Sequence, residues 1–350
     1  MKILHVPIMN TEALESNGAL DYQSDTLFYG LRKLFGDDVV DIVRLWFMYK
    51  KDKLERPENF KGLWGKAFTC YGLLGDDSKV DREDLGSKIT NHFFDFIIMP
   101  IHHTMHDNKH GVHQFLDQVL KHYPPSRVAL IDGWDRQDID LDISRRCVYF
   151  KRELSDRYKN KAFPISFSVP LEQVRSSSEK SYDFAPLIPS PNHLDTYIYD
   201  DEESYYDDYS RSYFGFTSKK GHMEDLNNAW DCLRHYEIMA ADCVPFFTNV
   251  EKCPQHTLHN FPKDLCVEAK KLSGVYPGVE GGYNPEEDTY IGPSTKILRG
   301  ELRGHIDFDR FDHTSYLDLK HRFREHLLKH LTCEQTATKL IDTMVRINAD

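Results

Sequence analysis

Arg234 and Glu237 are the two side chains whose types and spacing suggest a chemical role most directly. They stand three residues apart, so on a helix they share one face. Leu233 and residues 238–241 are apolar, which predicts a buried helix, and a charged pair in a buried helix needs a reason. A guanidinium holds phosphate oxygens, and a carboxylate accepts hydrogen bonds from a diol. An ion pair within the helix is the competing interpretation.

The segment from Trp230 to Phe247, WDCLRHYEIMAADCVPFF, resembles the donor-nucleotide helix of glycosyltransferases with the GT-B fold. It is most similar to exostosin-like enzymes, in which Arg, two residues, Glu and Ala precede Gly-Cys-Ile-Pro-Val. Phage DNA glucosyltransferases carry a similar Arg-x-x-Glu helix. The resemblance implies that Glu237 binds the ribose of a nucleotide sugar, Arg234 contacts its pyrophosphate or base, and His235 belongs to the same binding helix.

One residue in this segment departs from the family pattern. Asp242 stands where these enzymes usually have Gly at a tight turn between helix and strand. Asp tolerates a left-handed backbone better than most residues, so we expect the turn to form.

Two adjacent lysines, Lys219 and Lys220, follow the strand predicted over residues 211–217. In α/β proteins ligands bind at the carboxyl ends of the strands. The matching region of a GT-B protein faces the cleft, so the resemblance implies that both lysines offer positive charge to the donor diphosphate. Lys219 is the better candidate because it is nearer the strand. A loop that simply solvates both charges is the alternative.

Asp132 and Asp135 lie at and just after the end of the strand predicted over residues 127–132. An inverting transferase needs a carboxylate or histidine within hydrogen-bond reach of the acceptor hydroxyl. Either aspartate fits that role, and spacing does not choose between them. The alternatives are a turn cap for Asp132 and an ion pair with Arg136 for Asp135.

Five of the 18 histidines lie within residues 102–113, after another predicted strand. Among chemical roles, we favour contact with the substrate by His103 or its neighbour His102. A metal site would need histidines on one face, such as His106 with His110 or with His103. GT-B enzymes generally bind no metal, so the resemblance implies none here. A polar loop without chemistry is the alternative.

Two acidic segments favour structural interpretations. Asp138, Asp140 and Asp142 have the Asp-x-Asp spacing with which GT-A glycosyltransferases hold a divalent ion, but the chain contains 56 acidic residues and such triplets arise often. The acidic run over residues 200–208 predicts a solvated helix face whose tyrosines, at 205 and 206, pack inward. The sequence has no GxGxxG after its first strand, no GxxxxGK[ST] and no GxSxG. These absences argue against a dehydrogenase, a P-loop NTPase and an α/β-hydrolase.

The elements that would position these residues alternate between strand-like and helix-like patterns, as parallel α/β domains do. Strands are predicted over residues 2–8, 39–46, 93–101, 127–132, 162–169, 211–217 and 243–247. Helices are predicted over residues 24–35 (with Ser24 as N-cap), 111–123, 230–241, 261–272, 316–331 and 333–347. Residues 50–90 form a long, partly helical insertion whose role the sequence leaves open.

We therefore expect two Rossmann-like domains with a cleft between them. Residues 1–155 would form the acceptor-binding domain and residues 156–330 the nucleotide-sugar-binding domain. Residues 331–350 would be a C-terminal helix that packs back on the first domain, as helices do in the GT-B fold.

Composition limits the partners and the compartment. The 350 residues include 56 acidic and 44 basic side chains, a net charge of −12, which disfavours broad binding to nucleic acid. The seven cysteines include no CxxC pair, which is typical of reduced thiols inside a cell. The first residues predict a strand rather than a secretory signal, and no apolar run is long enough to span a membrane. We expect a cytoplasmic protein.

The predicted function is transfer of a sugar from a nucleotide-diphosphate sugar to a hydroxyl of a glycan or similar acceptor. The resemblance implies a UDP-sugar as co-substrate and no required cofactor. One alternative is a DNA-modifying glycosyltransferase acting on a hydroxymethylated base. Another is a non-catalytic protein that binds sugar nucleotides.

Overall fold

The fold is mixed α/β and contains two parallel sheets. It was obtained as a computed structural model that describes residues 1–7, 21–101, 109–176, 178–185, 199, 201–217, 229–276, 283–284, 289–290 and 304–349. The Rossmann-like α/β character predicted from the alternating pattern is confirmed by the larger sheet and the helices packed on it.

Six parallel strands form the larger sheet: β1 (Ile3–His5), β2 (Val39–Asp41), β3 (Phe96–Ile101), β4 (Val128–Asp132), β5 (Val148–Lys151) and β6 (Phe163–Pro164). Their order across the sheet is β2-β1-β3-β4-β5-β6. Strands β1 to β5 are buried throughout, because helices and loops cover both faces. The strand order reverses between β1 and β3, and ligands of open α/β sheets bind at such a point.

Three parallel strands form the smaller sheet, in the order in which the chain makes them: β7 (Tyr182–Ala185), β8 (Ser212–Thr217) and β9 (Val244–Phe247). Two antiparallel pairs accompany it. They are β10 (Val275–Tyr276) with β13 (His305–Ile306), and β11 (Tyr283–Asn284) with β12 (Thr289–Tyr290).

Helices lie between and after these strands: α1 (Tyr22–Phe35), α2 (Lys50–Glu55), α3 (Pro57–Lys61), α4 (Leu85–Thr90), α5 (Lys109–Val119), α6 (Glu202–Ser210), α7 (Leu233–Ala240), α8 (Lys263–Ala269), α9 (His313–His330) and α10 (Cys333–Ala349). In the described part of the chain, no helix combines the length and the apolar character that crossing a membrane requires.

The C-terminal helix α10 packs against α1 on one face of the larger sheet. The contact is close because Gly30 of α1 has no side chain, and a Cβ there would collide with the carbonyl group of Cys333. Val169 joins the two parts of the chain, since its N–H donates to Leu331 and its carbonyl accepts from Cys333. The first sheet, α1 and α10 therefore share one apolar core.

Several local predictions can be compared with the structure. Tyr205 and Tyr206 are buried on α6, as the acidic helix predicted. Asp242 adopts the left-handed backbone expected of it, with φ of 57°. The N-cap of α1 is Asp21 rather than Ser24, because the Asp21 carboxylate accepts from the backbone N–H of Gln23.

The larger sheet extends past the domain boundary expected at residue 155. The strand predicted over residues 162–169, assigned to the second domain, is only Phe163–Pro164, and it pairs with β5 of the first sheet. Strands β5 and β7 were not predicted at all. Both carry charged residues that interrupt the apolar run, Lys151 in β5 and Asp183 in β7.

Candidate functional site

Glu237 lies on α7 with its carboxylate buried, at a junction between distant parts of the chain. One carboxylate oxygen accepts a hydrogen bond from the Thr69 hydroxyl, and the other accepts from the Tyr205 hydroxyl at 2.5 Å. Burial raises the pKa of Glu237, while these two hydrogen bonds and the positive charge of Arg234 act in the opposite direction. The site therefore binds two hydroxyl groups through one carboxylate. Sequence analysis missed both hydroxyl partners.

Thr69 belongs to the insertion over residues 50–90, and a strained backbone precedes it. Gly65, Lys66 and Ala67 all have left-handed φ values, of 55°, 49° and 63°. The two residues with side chains each cost roughly 1–2 kcal/mol in this conformation. Strain of this kind is found where a segment is held in place for function. The insertion therefore covers Glu237 with a segment whose backbone is strained.

His235 fixes the start of α7 against the smaller sheet. Its ring is buried, Nδ1 contacts the Thr217 hydroxyl of β8, and Nε2 lies 2.8 Å from the Trp230 carbonyl oxygen. Burial lowers the pKa of His235 to about 3, so the ring is neutral. Both nitrogens have protein partners in this arrangement. Neither ring nitrogen of His235 is therefore available in this structure for the predicted contact with a nucleotide.

Asp132 ends β4 as expected, but its carboxylate is fully engaged by the protein. It forms a buried ion pair with Lys151 at 2.8 Å and accepts hydrogen bonds from the Tyr149 hydroxyl and the Trp134 N–H. Tyr149 and Lys151 come from the neighbouring strand, where Lys151 pairs with Asp132 in the β4–β5 register. A general base needs an available lone pair, so this geometry favours a structural role for Asp132 over the predicted catalytic one.

Asp135 forms an ion pair with Arg152, and the guanidinium of Arg136 lies 4.4 Å from the Trp134 ring. Arg152 is 1% exposed and donates to three carbonyl or carboxylate groups besides Asp135. Their acceptor atoms are the Gly133 carbonyl at 2.8 Å, the Asp231 carbonyl at 2.6 Å and Glu153 Oε1 at 3.1 Å. Asp135 is thus one of four groups that accept hydrogen bonds from the buried Arg152 guanidinium.

Residues just after β5 hold the segment that leads into α7. Glu153 accepts hydrogen bonds from the backbone N–H groups of Trp230 and Asp231, at 3.0 and 2.9 Å. The start of α7 lies beside the carboxyl end of β8 through the contact between His235 and Thr217. The carboxyl ends of β5 and β8 therefore both lie next to the start of α7. Arg152 and Glu153 bind the segment before this helix.

Asp21 provides an acidic group that sequence analysis missed, at the start of α1 and near the reversal of strand order. Its Oδ1 accepts from Gln23, whereas its buried Oδ2 has no hydrogen-bond partner among the described residues. Burial raises its pKa to about 6. Gly133 packs against this oxygen, and a Cβ there would stand only 3.2 Å from Oδ2. An available lone pair and a near-neutral pKa together suit acid–base catalysis.

Asp25, one turn along α1, links Asp21 to the segment that covers Glu237. Its Oδ2 accepts from the Asp21 N–H at 3.2 Å and from the Tyr71 hydroxyl at 2.8 Å. Burial, and then the charge of Asp21, raise the pKa of Asp25 well above its ordinary value. Since Thr69 donates to Glu237 and Tyr71 donates to Asp25, three consecutive residues span the two carboxylate sites.

The raised pKa of Glu153 predicts that the free energy of unfolding depends on pH. Burial raises its pKa from 4.5 to about 7, so the folded protein holds this proton to a higher pH than the unfolded chain does. Its contribution to the free energy of unfolding is therefore present below pH 4.5 and is lost as pH rises to about 7. We expect Glu153→Gln to gain stability relative to wild type across this window and to show a constant difference above it.

Urea denaturation of both proteins at several pH values measures this difference and removes the contributions of other titrating groups. A difference that stays constant between pH 5 and 7 would contradict the assignment of a raised pKa to Glu153.

Other predicted residues are less informative. His103, Lys219 and Lys220 lie outside the described residues. Asp140 caps a turn by accepting from the N–H groups of Asp142 and residue 143, and His113 lies 3.8 Å from it. Within the described ranges, no group of three or more His, Cys, Asp and Glu side chains is arranged to hold a metal ion.

The assignment of function rests on the positions of these side chains. The structure brings Glu237 together with Thr69 and Tyr205, and it places Asp21 and Glu153 at the carboxyl edge of the larger sheet. No protein-family model matches the sequence, and no curated protein matches it either.

Proposed function

We propose that the chain is a glycosyltransferase that moves a sugar from a nucleotide-diphosphate sugar to an acceptor hydroxyl. The observation that carries the proposal is Glu237, whose two carboxylate oxygens each accept a hydrogen bond from a hydroxyl group at a junction of two α/β units. A ribose offers two neighbouring hydroxyls with the same donor chemistry. Arg234, one turn earlier on α7, supplies a positive charge for the diphosphate.

The ribose hydroxyls of the donor take the places of the Thr69 and Tyr205 hydroxyls on Glu237. In the structure, Thr69 occupies one oxygen of Glu237 and Tyr205 the other, and the left-handed residues 65–67 precede Thr69. Withdrawal of this segment would relieve the strain and expose the carboxylate to the ribose. The proposal assigns the donor diphosphate to Lys219 and Lys220, which follow β8 in the chain.

The acceptor is activated by Asp21 in an inverting transfer. The acceptor oxygen attacks the anomeric carbon, and the bond from that carbon to the diphosphate oxygen breaks with its electron pair leaving on the diphosphate. The acceptor proton passes to Asp21 Oδ2, whose pKa of about 6 makes it a stronger base than an ordinary carboxylate. Asp132 and Asp135 hold the loop that follows β4.

Replacement of Glu237 by glutamine tests the donor site. The variant keeps the shape of the side chain and one acceptor oxygen, but it loses the charge that a diol and a neighbouring guanidinium recognise. We expect donor binding to weaken by about 1.5–3 kcal/mol, which is roughly 10- to 150-fold in Kd. Calorimetric titration with the nucleoside diphosphate that binds wild type measures this loss.

The nucleotide itself is found by thermal shift with a panel of nucleoside diphosphates and sugar nucleotides. A ligand at a hundredfold excess over its Kd stabilises the folded state by about 2.7 kcal/mol, so a true donor gives a clear rise in Tm. Glu268→Gln is the matched control, because that carboxylate pairs with Arg322 on the surface. Unchanged binding by a folded Glu237→Gln, or no shift with any nucleotide, would overturn the donor assignment.

A further inference from the structure

A pocket of about 190 Å³ lies where the edge of the larger sheet, α10 and the loop before α8 meet. Phe150 of β5 and Phe163 of the edge strand β6 give it an aromatic wall, and Phe163 is 41% exposed. Lys339 of α10 and His259 of the loop are also among its lining residues. No carboxylate is among its lining residues. The pocket therefore combines an aromatic surface with one ammonium group and one imidazole.

Lys339 is a half-buried cation that no described carboxylate neutralises. Its ammonium group contacts only His330, at 3.1 Å to the carbonyl oxygen and 3.4 Å to Nδ1, among the hydrogen bonds of the described residues. Burial lowers the pKa of Lys339, and no neighbouring negative charge opposes this effect. A bound anion would supply the missing counter-charge.

Histidines lie around Lys339 on the loop before α8 and on α9. Burial, together with the positive charges of Lys339, His256 and Lys263, lowers the pKa of His259 to about 4, so its ring is neutral at pH 7 and can donate one N–H to an anion. On α9, the rings of His326 and His330 lie 4.7 Å apart. Burial lowers the pKa of both histidines, and the positive charge of Lys339 acts in the same direction. The nearby carboxylate of Asp156 is 65% exposed and lies 3.7 Å from His256, outside the pocket lining. Lys339 is thus the positive charge that an anion in this pocket would meet.

The loop that carries His259 is held in an uncommon conformation. Leu258 and Asn260, on either side of it, both have left-handed backbones, with φ of 50° and 61°. The Asn260 carbonyl accepts a hydrogen bond from His326 at 2.5 Å, which fixes the loop to α9. Non-glycine residues rarely adopt this conformation unless the surroundings enforce it. His259 is thereby positioned as part of the pocket wall before any ligand arrives.

We propose that this pocket binds a small organic anion, with its carboxylate or phosphate group on Lys339 and His259 and its planar apolar part against Phe150 and Phe163. The volume exceeds the roughly 150 Å³ of an engineered cavity that holds benzene, so a ring with a charged substituent fits. None of these side chains is among those assigned to the donor or acceptor. The pocket is therefore a second ligand site, independent of the proposed transfer reaction.

Calorimetric titration of the full chain with phenyl phosphate, benzoate and inorganic phosphate tests the proposal. We expect saturable binding of at least one aromatic anion by wild type and weaker binding of inorganic phosphate. Lys339→Met should weaken aromatic anion binding at least tenfold. Removing a half-buried, unpaired charge should leave Tm unchanged or higher, so the variant is expected to fold.

Two further variants separate the parts of the site. Phe163→Ala removes a partly exposed ring and should weaken phenyl phosphate or benzoate while leaving inorganic phosphate unchanged. Lys329→Met is the matched control, because Lys329 is exposed on α9 and acts on the same histidines without lining the pocket. Absence of binding by wild type, equal binding by Lys339→Met, or an equal loss in Lys329→Met would overturn the proposal.

Discussion

Replacement of Arg152 by methionine is expected to lower the free energy of unfolding by about 3–5 kcal/mol, the usual cost of removing one partner from a buried charged network. Arg152 is fully buried and donates to the Gly133 carbonyl, the Asp231 carbonyl and two carboxylates. Methionine fills most of the volume but leaves those acceptors without a donor. The loss should therefore come from unsatisfied polar groups and uncompensated carboxylates rather than from a cavity.

Urea denaturation at neutral pH measures this loss, with Arg322→Met as the control. Arg322 pairs with Glu268 on the surface, where both side chains are at least 40% exposed. Such exposed pairs contribute about 0–1 kcal/mol. If Arg152→Met cost no more than this control, Arg152 would not be the residue that joins β5 to the segment before α7.

Replacement of Asp21 by asparagine is expected to reduce turnover by about 10²- to 10⁴-fold, the range for loss of a general base. Asparagine is as good an N-cap as aspartate, so the start of α1 should be preserved. It cannot accept the acceptor proton at neutral pH. Binding of the nucleotide donor should be unchanged, because Glu237 and Arg234 are untouched.

Stability separates this catalytic role from a structural one. The folded-state pKa of Asp21 is raised to about 6, so its ionisation destabilises the fold as pH rises through that value. Asp21→Asn should therefore be at least as stable as wild type at pH 8. Asp312→Asn is the matched control, since Asp312 caps α9 with an exposed carboxylate. Normal turnover by Asp21→Asn would remove Asp21 as the base.

The sequence predicted the Arg-x-x-Glu helix and its burial because both depend on local spacing. The hydroxyls that meet Glu237 could not be predicted in the same way. Thr69 is 168 residues away along the chain and Tyr205 is 32 residues away, and no local period relates them to α7. Thr69 also lies in the insertion over residues 50–90, to which the composition assigned no role.

Long-range contacts also explain why the sequence indicated Asp132 as the base and missed Asp21. The rule that ligands bind after parallel strands led to Asp132 at the end of β4. It could not show that Asp132 is occupied, because its partner Lys151 lies on β5 and that strand was missed. Residues 151–153 have the composition of a surface loop, yet all three side chains are buried. Their charges are balanced because Lys151 pairs with Asp132 and Arg152 pairs with Glu153.

Asp21 could have been found from its local context. An aspartate before an apolar helical pattern is a common N-cap, and this helix follows the first strand of the sheet. Its burial and its unpartnered oxygen could not be found, since they depend on Gly133 and on elements distant in sequence.

The central claim is that this chain transfers a sugar from a nucleotide donor bound at Glu237. The most direct test measures nucleoside diphosphate release from a panel of sugar nucleotides, with and without glycan acceptors, by wild type and Glu237→Gln at equal concentration. The account predicts release from at least one sugar nucleotide by wild type, and a rate at least tenfold lower in the variant when the donor is below saturation. No release by wild type under any condition, or equal release by a folded Glu237→Gln, would contradict it.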